Sequence, residues 1–298
     1  MVLGHESSGV VVEVGEGVTH LKPGDRVALE PGVPCRMCQH CKTGHYNLCP
    51  EMEFAATPPY HGTLTEYYTH PADFCFKLPD NVSYAEGALM EPFSVAIHAC
   101  RRAGVTLGSS VLICGSGPIG LVNVLAAKAA GATFICVYDI NGGRLEVAKE
   151  LGAHHTVIID PKKSPEETAQ DICNQSGFPL GFDISIECSG AESSMRTGIF
   201  ATKPGGKMTM VGLGHPDVSL PVVDGSIVRE VELRGSFRYC NTYPTAIQLA
   251  SSGLVNLKPL LTHHFKFEDS IKAFELVHSN APGVIKVQIW NGDENTRL

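Results

Sequence analysis

Apolar residues follow two different patterns along the chain, and the pattern changes near residue 89. Before that point, short apolar runs are separated by Gly and Pro, which is typical of strands and turns. The strands predicted there are Ser8–Val14, Asp25–Glu30, Leu64–His70 and Phe74–Lys77. We therefore expect an irregular β domain over residues 1–93, with a separate lobe at residues 31–50.

Helical spacing begins at Ala85 and extends to Cys100, and after it strands alternate with helices. One predicted helix ends at Ala130, and three later ones cover 143–151, 164–174 and 191–202. The six predicted strands are Val111–Cys114, Phe134–Tyr138, Thr156–Ile159, Phe182–Ile186, Lys207–Val211 and Val231–Phe237. Short apolar strands that alternate with helices predict an α/β fold with a doubly wound parallel (Rossmann) sheet over residues 94–237.

The last part of the chain departs from this alternation. It contains two predicted helices, near 243–252 and 268–278, and a final strand at Val284–Trp290. We expect residues 238–298 to return to the first domain.

Composition narrows the function classes. The net charge is −8 and the pI is about 5.9, without basic runs, which argues against nucleic acid and favours a small-molecule partner. No apolar run approaches the roughly 18 residues of a membrane span, and the first residues do not resemble a signal peptide. We expect a cytoplasmic protein without a membrane partner.

Four of the eleven cysteines, Cys35, Cys38, Cys41 and Cys49, form a C-x2-C-x2-C-x7-C cluster. Four thiolates in one short loop are typical of a structural zinc site. The alternatives are unrelated thiols or two disulfides, although adjacent C-x2-C pairs rarely form disulfides. The other seven cysteines lie mostly in apolar runs and are interpreted as reduced core thiols.

A glycine-rich turn follows the first predicted strand of the α/β domain and precedes an apolar helix. Its residues are Gly115, Gly117, Pro118, Ile119 and Gly120. Such a turn presents backbone N–H groups to a pyrophosphate. Asp139, at the end of the next strand, is placed to bind the adenosine ribose and favours NAD over NADP. Alternatively, the glycines form a simple strand-to-helix turn and Asp139 is a helix cap.

Four further residues have ambiguous patterns. Arg144 lies near the start of the helix after Asp139, where it could meet a phosphate or stack on adenine. His5 and Glu6 offer adjacent metal ligands, but an isolated histidine is more often a surface or core residue. Glu91 could satisfy backbone donors at a helix N-terminus or be a buried carboxylate beside a metal.

These motifs together resemble those of the zinc-containing medium-chain dehydrogenases, and within them the sorbitol (polyol) dehydrogenases. The resemblance covers essentially the whole chain. It is carried by the segments Gly4–Glu6, Lys22–Arg26, the four-cysteine lobe, Ala56–Pro59, Lys77–Asn81, Glu91–Pro92, His98–Arg102, Gly115–Gly120, Glu187–Gly190, Val211–Gly214 and Phe237–Asn241. The last of these, with Glu6 and Glu91, points to polyol dehydrogenases.

The resemblance implies a GroES-like first domain, a catalytic zinc held by His5, Glu6 and Glu91, and oxidation of a polyol to a ketose with NAD. It implies that Arg238 and Tyr239, with Glu91, meet the substrate hydroxyls, and that the protein is a homo-oligomer, a tetramer. The further cofactor contacts that it implies are Val211, Gly212, Leu213, Ser236, Phe237 and Arg238. Two alternatives are that Arg238 is a salt-bridged surface cation and that Val211–Gly214 is only a strand end.

Members of this family carry a Gly-Ile-Cys-Gly-Ser-Asp-type segment before Gly-His-Glu, and its cysteine is a zinc ligand. The present sequence starts at Met1, and none of its cysteines matches that position. The resemblance therefore implies an N-terminally truncated GroES-like domain and impaired activity. Two other functions stay open: a noncatalytic form that keeps NAD binding and oligomer contacts, and another zinc dehydrogenase such as threonine dehydrogenase.

Overall fold

The computed structural model describes residues 1–292 of the chain. The chain forms two compact units, one made of Met1–Ser94 together with the segment from Arg238 onward, and the other of Val95–Phe237. Among the described residues, no helix is both long enough and apolar enough to cross a membrane.

The elements are as follows. The strands are β1 (Ser7–Val10), β2 (Arg26–Leu29), β3 (Gly32–Val33), β4 (Glu53–Phe54), β5 (Cys75–Lys77), β6 (Ser110–Cys114), β7 (Phe134–Asp139), β8 (His155–Ile158), β9 (Phe182–Glu187), β10 (Thr202–Met210), β11 (Glu232–Gly235), β12 (Leu261–Lys266) and β13 (Lys286–Trp290). The α-helices are α1 (Gln39–Lys42), α2 (Tyr84–Ala88), α3 (Met90–Ala103), α4 (Pro118–Ala129), α5 (Gly142–Leu151), α6 (Pro165–Ser176), α7 (Glu192–Ala201), α8 (Tyr243–Ser251) and α9 (Ser270–His278). Short 3-10 helices cover Tyr46–Leu48, Ala72–Phe74, Ile227–Arg229, Lys258–Leu260 and Phe267–Asp269, and a π-helical turn covers Val222–Ser226.

The second unit is built on a six-stranded sheet in the order β11-β10-β9-β6-β7-β8, with every pair parallel. Its central strand β6 is buried along its whole length. The strand order reverses between β6 and β9, and in doubly wound sheets ligands bind at the carboxyl ends of the strands at such a point. The doubly wound parallel sheet that the sequence predicts is confirmed.

The helices of this unit begin and end at local signals. Ser164 caps α6 in a capping box with Glu167, and Gly177 ends that helix in the left-handed conformation, where only glycine avoids strain. Asn141 caps α5, and its side chain accepts a hydrogen bond from the Arg144 N–H. These residues fix the helix ends without any contribution from distant parts of the chain.

The first unit contains smaller sheets. Strands β1, β2 and β5 pair antiparallel in the order β1-β2-β5, and β3 pairs antiparallel with β4. Strands β12 and β13 of the tail form a parallel pair in the same unit.

Three of the predicted elements differ in the structure. The predicted strand Leu64–His70 is wrong: Thr63 and Leu64 donate to the Gly4 and Leu3 carbonyls, but no ladder continues past them, and Tyr67 is 70% exposed. The strand predicted over Ser8–Val14 is shorter in the structure, where β1 covers Ser7–Val10.

The helix predicted over Ala85–Cys100 is divided at Leu89 into α2 and α3. Ser83 and Glu86 form a capping box at the start of α2. Pro92 lies in the first turn of α3, where the N–H that proline lacks would have no intrahelical partner. The break places Glu91 in the first turn of a new helix.

Candidate functional site

The four-cysteine lobe lies between β3 and β4 and contains α1. The Sγ atoms of Cys35, Cys38, Cys41 and Cys49 all lie within 4.8 Å of one another. The Sγ atoms of Cys38 and Cys41 are 3.4 Å apart, and those of Cys35 and Cys41 are 4.0 Å apart. A zinc ion with Zn–S bonds of about 2.3 Å would place its sulfurs about 3.8 Å apart. The four thiols are therefore spaced for one tetrahedral ion, and none of them forms a disulfide.

Backbone N–H groups of the lobe point at its sulfurs. The Cys38 N–H donates to the Cys35 Sγ at 3.3 Å, and the Cys35 N–H donates to the Cys49 Sγ at 3.4 Å. Hydrogen bonds from the Met37 and Cys38 backbone lower the pKa of Cys35 to about 7. Since a metal binds thiolates rather than thiols, these hydrogen bonds favour the ligating form of Cys35, whereas burial raises the pKa of Cys41 to about 12 and also raises that of Cys49.

A second group of possible ligands comes from distant parts of the first unit. His5 and Glu6 precede β1, and Glu91 lies in the first turn of α3. Their ligand atoms lie within 4.8 Å of one another. One imidazole nitrogen and two carboxylate oxygens are a donor set that zinc accepts, and three protein ligands leave a position for another molecule.

The two carboxyl groups of this group repel each other when both are ionised. Glu91 is 6% exposed, and its burial, together with the nearby Glu6 carboxylate, raises the pKa of Glu91 to about 8. Burial also lowers the pKa of His5, which favours the neutral, ligating imidazole. A positive ion among these three side chains would stabilise the charged form of Glu91.

Basic and aromatic residues surround the group. Lys286, the first residue of β13, forms an ion pair with the Glu6 Oε2. The Arg238 guanidinium lies 3.7 Å from the Phe54 ring centroid, and the Phe54 ring lies 5.7 Å from the His5 ring. Arg238 therefore packs over an aromatic ring beside the candidate ligands, and its backbone has a φ of 49°, which non-glycine residues rarely adopt.

Tyr239 is 3% exposed, and its ring lies 5.8 Å from the Tyr243 ring. The neighbouring Asn241 is attached to the lobe: its backbone N–H donates to the Tyr46 Oη and its side chain donates to the Gly44 carbonyl, both at 2.8 Å. The segment from Arg238 to Asn241 thus contacts the four-cysteine lobe.

The sequence did not indicate Lys286 or Phe54 as site residues. Lys286 lies near the end of the chain, and no spacing pattern links it to Glu6. Phe54 follows the lobe in β4, where an apolar residue is expected to be core. An aromatic residue close to an arginine in space leaves no signal in one sequence.

The glycine-rich turn in the second unit joins β6 to α4. Gly115 has a φ of 96°, and a Cβ on Gly120 would lie 1.9 Å from the Gly115 carbonyl oxygen. A Cβ on Gly117 would meet nothing within 4 Å, and no side chain caps α4. Helix α4 begins with Pro118 and Ile119. The backbone N–H groups of its first turn are therefore available to an anion.

Asp139 ends β7 beside this turn. Its carboxylate accepts hydrogen bonds from the Ser116 N–H at 2.5 Å and from the Asn141 N–H at 2.9 Å. The side-chain cap of α5 is Asn141, so Asp139 does not have the capping role that the sequence left open. Arg144 lies in the first turn of the same helix.

The other predicted cofactor residues of this unit follow the ends of β10 and β11. The N–H groups of Val211 and Gly212 donate to the Glu187 carbonyl, and the Ser236 N–H donates to the Met210 carbonyl. A Cβ on Gly212 would lie 2.2 Å from the Gly190 nitrogen, so this loop requires glycine. Leu213 and Phe237 are 84% and 42% exposed. Of the predicted cofactor residues, Arg238 alone lies in the first unit.

A doubly wound parallel sheet, together with a four-thiol group and a His–Glu–Glu group in the other unit, is the combination found in zinc-containing dehydrogenases. Family models match accordingly: "Alcohol dehydrogenase GroES-like domain" over residues 1–80 and "Zinc-binding dehydrogenase" over residues 118–252. The GroES-like part of the predicted fold class is thereby confirmed.

Individual proteins give a finer comparison. The sorbitol dehydrogenase of Gallus gallus is 54% identical over 275 residues, which are 92% of this chain and 76% of that protein. The solved structure of L-idonate 5-dehydrogenase from Escherichia coli K-12 matches with a TM-score of 0.87 at 33% identity. The match covers 97% of this chain and 81% of the L-idonate 5-dehydrogenase chain. A short chain alcohol dehydrogenase of E. coli CFT073, solved with NADH, matches with a TM-score of 0.89 at 28% identity, over 97% of this chain and 83% of the E. coli chain. The chain belongs to the sorbitol dehydrogenase family of the zinc-containing medium-chain dehydrogenases.

Proposed function

We propose that the protein oxidises a polyol of the sorbitol or xylitol type at a secondary hydroxyl, giving a ketose, with NAD as the hydride acceptor. The observation that carries this proposal is the convergence of His5, Glu6 and Glu91, whose ligand atoms lie within 4.8 Å of one another. The 54% identity to a sorbitol dehydrogenase supports a polyol rather than threonine as the substrate.

His5, Glu6 and Glu91 would hold the catalytic zinc, and the four cysteines would hold a structural one. When bound, the catalytic zinc supplies Lewis acidity that lowers the pKa of the substrate hydroxyl, and NAD supplies the hydride acceptor. Closed thiolate sites are structural, whereas a site with an open position is suited to catalysis.

Glu91 is a buried carboxyl within the group of candidate ligands. Since a bound cation would favour its charged form, its carboxylate can accept a hydrogen bond from the substrate hydroxyl or from a water beside it. We assign to Glu91 this orienting role, in which it helps to carry the proton away from the hydroxyl when hydride leaves the carbon that bears it.

Arg238 and Tyr239 would orient the substrate. A guanidinium offers five donors in a rigid plane, which matches several neighbouring hydroxyl oxygens better than a single one. The Arg238 guanidinium packs on Phe54 next to His5, so its donors are held near the reacting hydroxyl. This residue would make a polyol a better substrate than a simple alcohol.

NAD would bind in the second unit, with its pyrophosphate at the start of α4, where Gly115, Gly117 and Gly120 allow close approach. Asp139 would bind the adenosine ribose and repel a 2′-phosphate. The further cofactor contacts are assigned to Pro118, Ile119, Arg144, Val211, Gly212, Leu213, Ser236, Phe237 and Arg238.

The cellular setting and assembly also belong to the proposal. All eleven cysteines are free, and thiols persist in reducing compartments, which supports the cytoplasm. A homotetramer rests on the family resemblance alone, and the absence of nucleic acid as a partner rests on the acidic balance of −8.

The test is steady-state oxidation of sorbitol, xylitol, ethanol and threonine by the zinc-loaded chain with NAD or NADP, together with zinc content per chain. We expect two zinc ions per chain and turnover of the polyols with NAD. Turnover of threonine but not of polyols would overturn the substrate assignment. One zinc ion per chain and no turnover would favour the noncatalytic form.

A further inference from the structure

Lys286 is a charged residue in the candidate catalytic group that the proposed reaction does not use. It is the first residue of β13, which pairs with β12. Its Nζ forms an ion pair with the Glu6 Oε2, and the two side chains are only 18% and 26% exposed. Ion pairs that are shielded from solvent are screened less than surface pairs, so this contact has energetic weight.

Two positive side chains already lie beside the group. Glu6 and Glu91 contribute two carboxylates, while Lys286 and Arg238 lie close enough to act electrostatically on both His5 and Glu91. A zinc ion would add two positive charges beside a lysine that already contacts one of its three ligands.

We propose that Lys286 is a tethered competitor of zinc: it holds the Glu6 carboxylate in the metal-free protein and must release it, at least in part, when the metal binds. This inference rests on the proposed function, because it requires the catalytic zinc at His5, Glu6 and Glu91. Lys286 is thus a positioning residue, which acts on the metal through Glu6. It stabilises the metal-free group against carboxylate repulsion and lowers its affinity for zinc.

The matched variants are Lys286→Gln, which removes the charge but keeps a donor, and Lys286→Arg, which keeps the charge. Zinc affinity is measured by chelator competition on the metal-free proteins. Repulsion between neighbouring charges predicts that Lys286→Gln binds zinc at this group at least about tenfold more tightly. Lys286→Arg is expected to stay within about threefold of the unaltered protein.

The four-cysteine lobe provides an internal reference. Cobalt(II) bound to thiolates gives sulfur-to-metal charge-transfer absorption, which a site of imidazole and carboxylates lacks, so the two sites can be titrated separately. The affinity of the lobe should be the same in all three proteins. Thermal unfolding adds a second readout: Lys286→Gln should lower the melting temperature without zinc and enlarge the rise that zinc causes, whereas a purely structural role would lower it in both states.

A further measurement needs no variant. If zinc displaces Lys286 from Glu6, amine labelling of Lys286, followed by peptide mass spectrometry, should be faster in the zinc-loaded protein. Unchanged or weaker zinc binding in Lys286→Gln, or equal labelling rates in the two states, would overturn the inference. A protein that takes up metal only at the lobe would instead contradict the proposed catalytic zinc, so the two failures are distinguishable.

Discussion

The four-cysteine lobe and the His5–Glu6–Glu91 group are both spaced for a metal, but they are assembled in different ways. The lobe takes its four candidate ligands from fifteen consecutive residues, Cys35 to Cys49, and its own backbone N–H groups point at the sulfurs. The second group joins the start of the chain to helix α3, with Lys286 of the tail beside it. A local site depends on a loop conformation, whereas the second depends on the packing of a whole unit.

The lobe and the second group also differ in the chemistry that their side chains allow. Four thiolates close the coordination shell of a zinc ion and leave no position for a substrate. The second group has three candidate ligands, one of which is the buried carboxyl of Glu91, and two neighbouring cations. Structural order is therefore the role that suits the lobe, and proton and hydroxyl chemistry suits the second group.

The largest effect is expected at the second group. His5→Ala should remove the catalytic zinc and lower kcat/KM for sorbitol by about a thousandfold or more, because both a ligand and the orientation of the metal are lost. Metal analysis should still find the lobe zinc. The control is His278→Ala at the exposed end of α9, which should keep two zinc ions and full activity. Retained activity in His5→Ala would exclude His5 as a catalytic ligand.

A smaller effect is expected at the lobe. Cys38→Ser should release the structural zinc and lower the melting temperature by about 5–10 °C, because a loop with little apolar content loses its ordering ion. Since Asn241 is hydrogen-bonded to Gly44 and Tyr46, KM for the polyol should also rise, with kcat less affected.

The control for this change is Cys75→Ser. Cys75 is a free thiol in β5, outside the cluster, and its removal should leave both zinc ions in place. If Cys38→Ser keeps two zinc ions per chain, the lobe is not a zinc site. If the two sites were fully independent, KM would not change.

The same contrast, between contiguous residues and residues distant in the sequence, explains which regions can be predicted from the sequence. The thiol cluster and the glycine turn at Gly115 are contiguous, and their spacing alone indicates their chemistry. Leu64–His70 has the composition of a strand, but only its first residue joins a backbone pairing with the start of the chain, and pairing partners are not encoded locally. Lys286 was missed for the same reason, since its role depends on a contact between opposite ends of the chain.

The glycine-rich turn at Gly115 and the neighbouring Asp139 form a third region, which contains none of the candidate metal ligands. Asp139→Asn keeps the size of the side chain and one acceptor but removes the charge, so NAD affinity should fall by about tenfold and the preference over NADP should narrow. Zinc content should not change. The control is Asp160→Asn, at an exposed position just after β8. Titration calorimetry with NAD and NADP gives the comparison, and tighter binding of NADP by the unaltered protein would contradict the role of Asp139.

The smallest effect is expected at Glu30, which connects the lobe to the interior of the first unit. Its carboxylate is 2% exposed and accepts a hydrogen bond from the Tyr46 Oη at 2.7 Å, and burial raises the pKa of Glu30 to about 7 from a usual 4.5. A carboxyl whose pKa is raised by folding binds more protons in the folded state, so the free energy of unfolding falls as pH rises between about 4.5 and 7. Glu30→Gln mimics the protonated form.

The variant should therefore be more stable than the unaltered protein at pH 8, by about 1–2 kcal/mol, and nearly equal to it at pH 5. Urea unfolding of the zinc-loaded proteins at both pH values measures the difference, and Glu53→Gln, at an exposed position in β4, is the control. A stability difference that does not change with pH would show that Glu30 stays ionised in the folded protein. In that case the Tyr46 hydrogen bond, rather than protonation, stabilises the buried carboxylate beside the lobe.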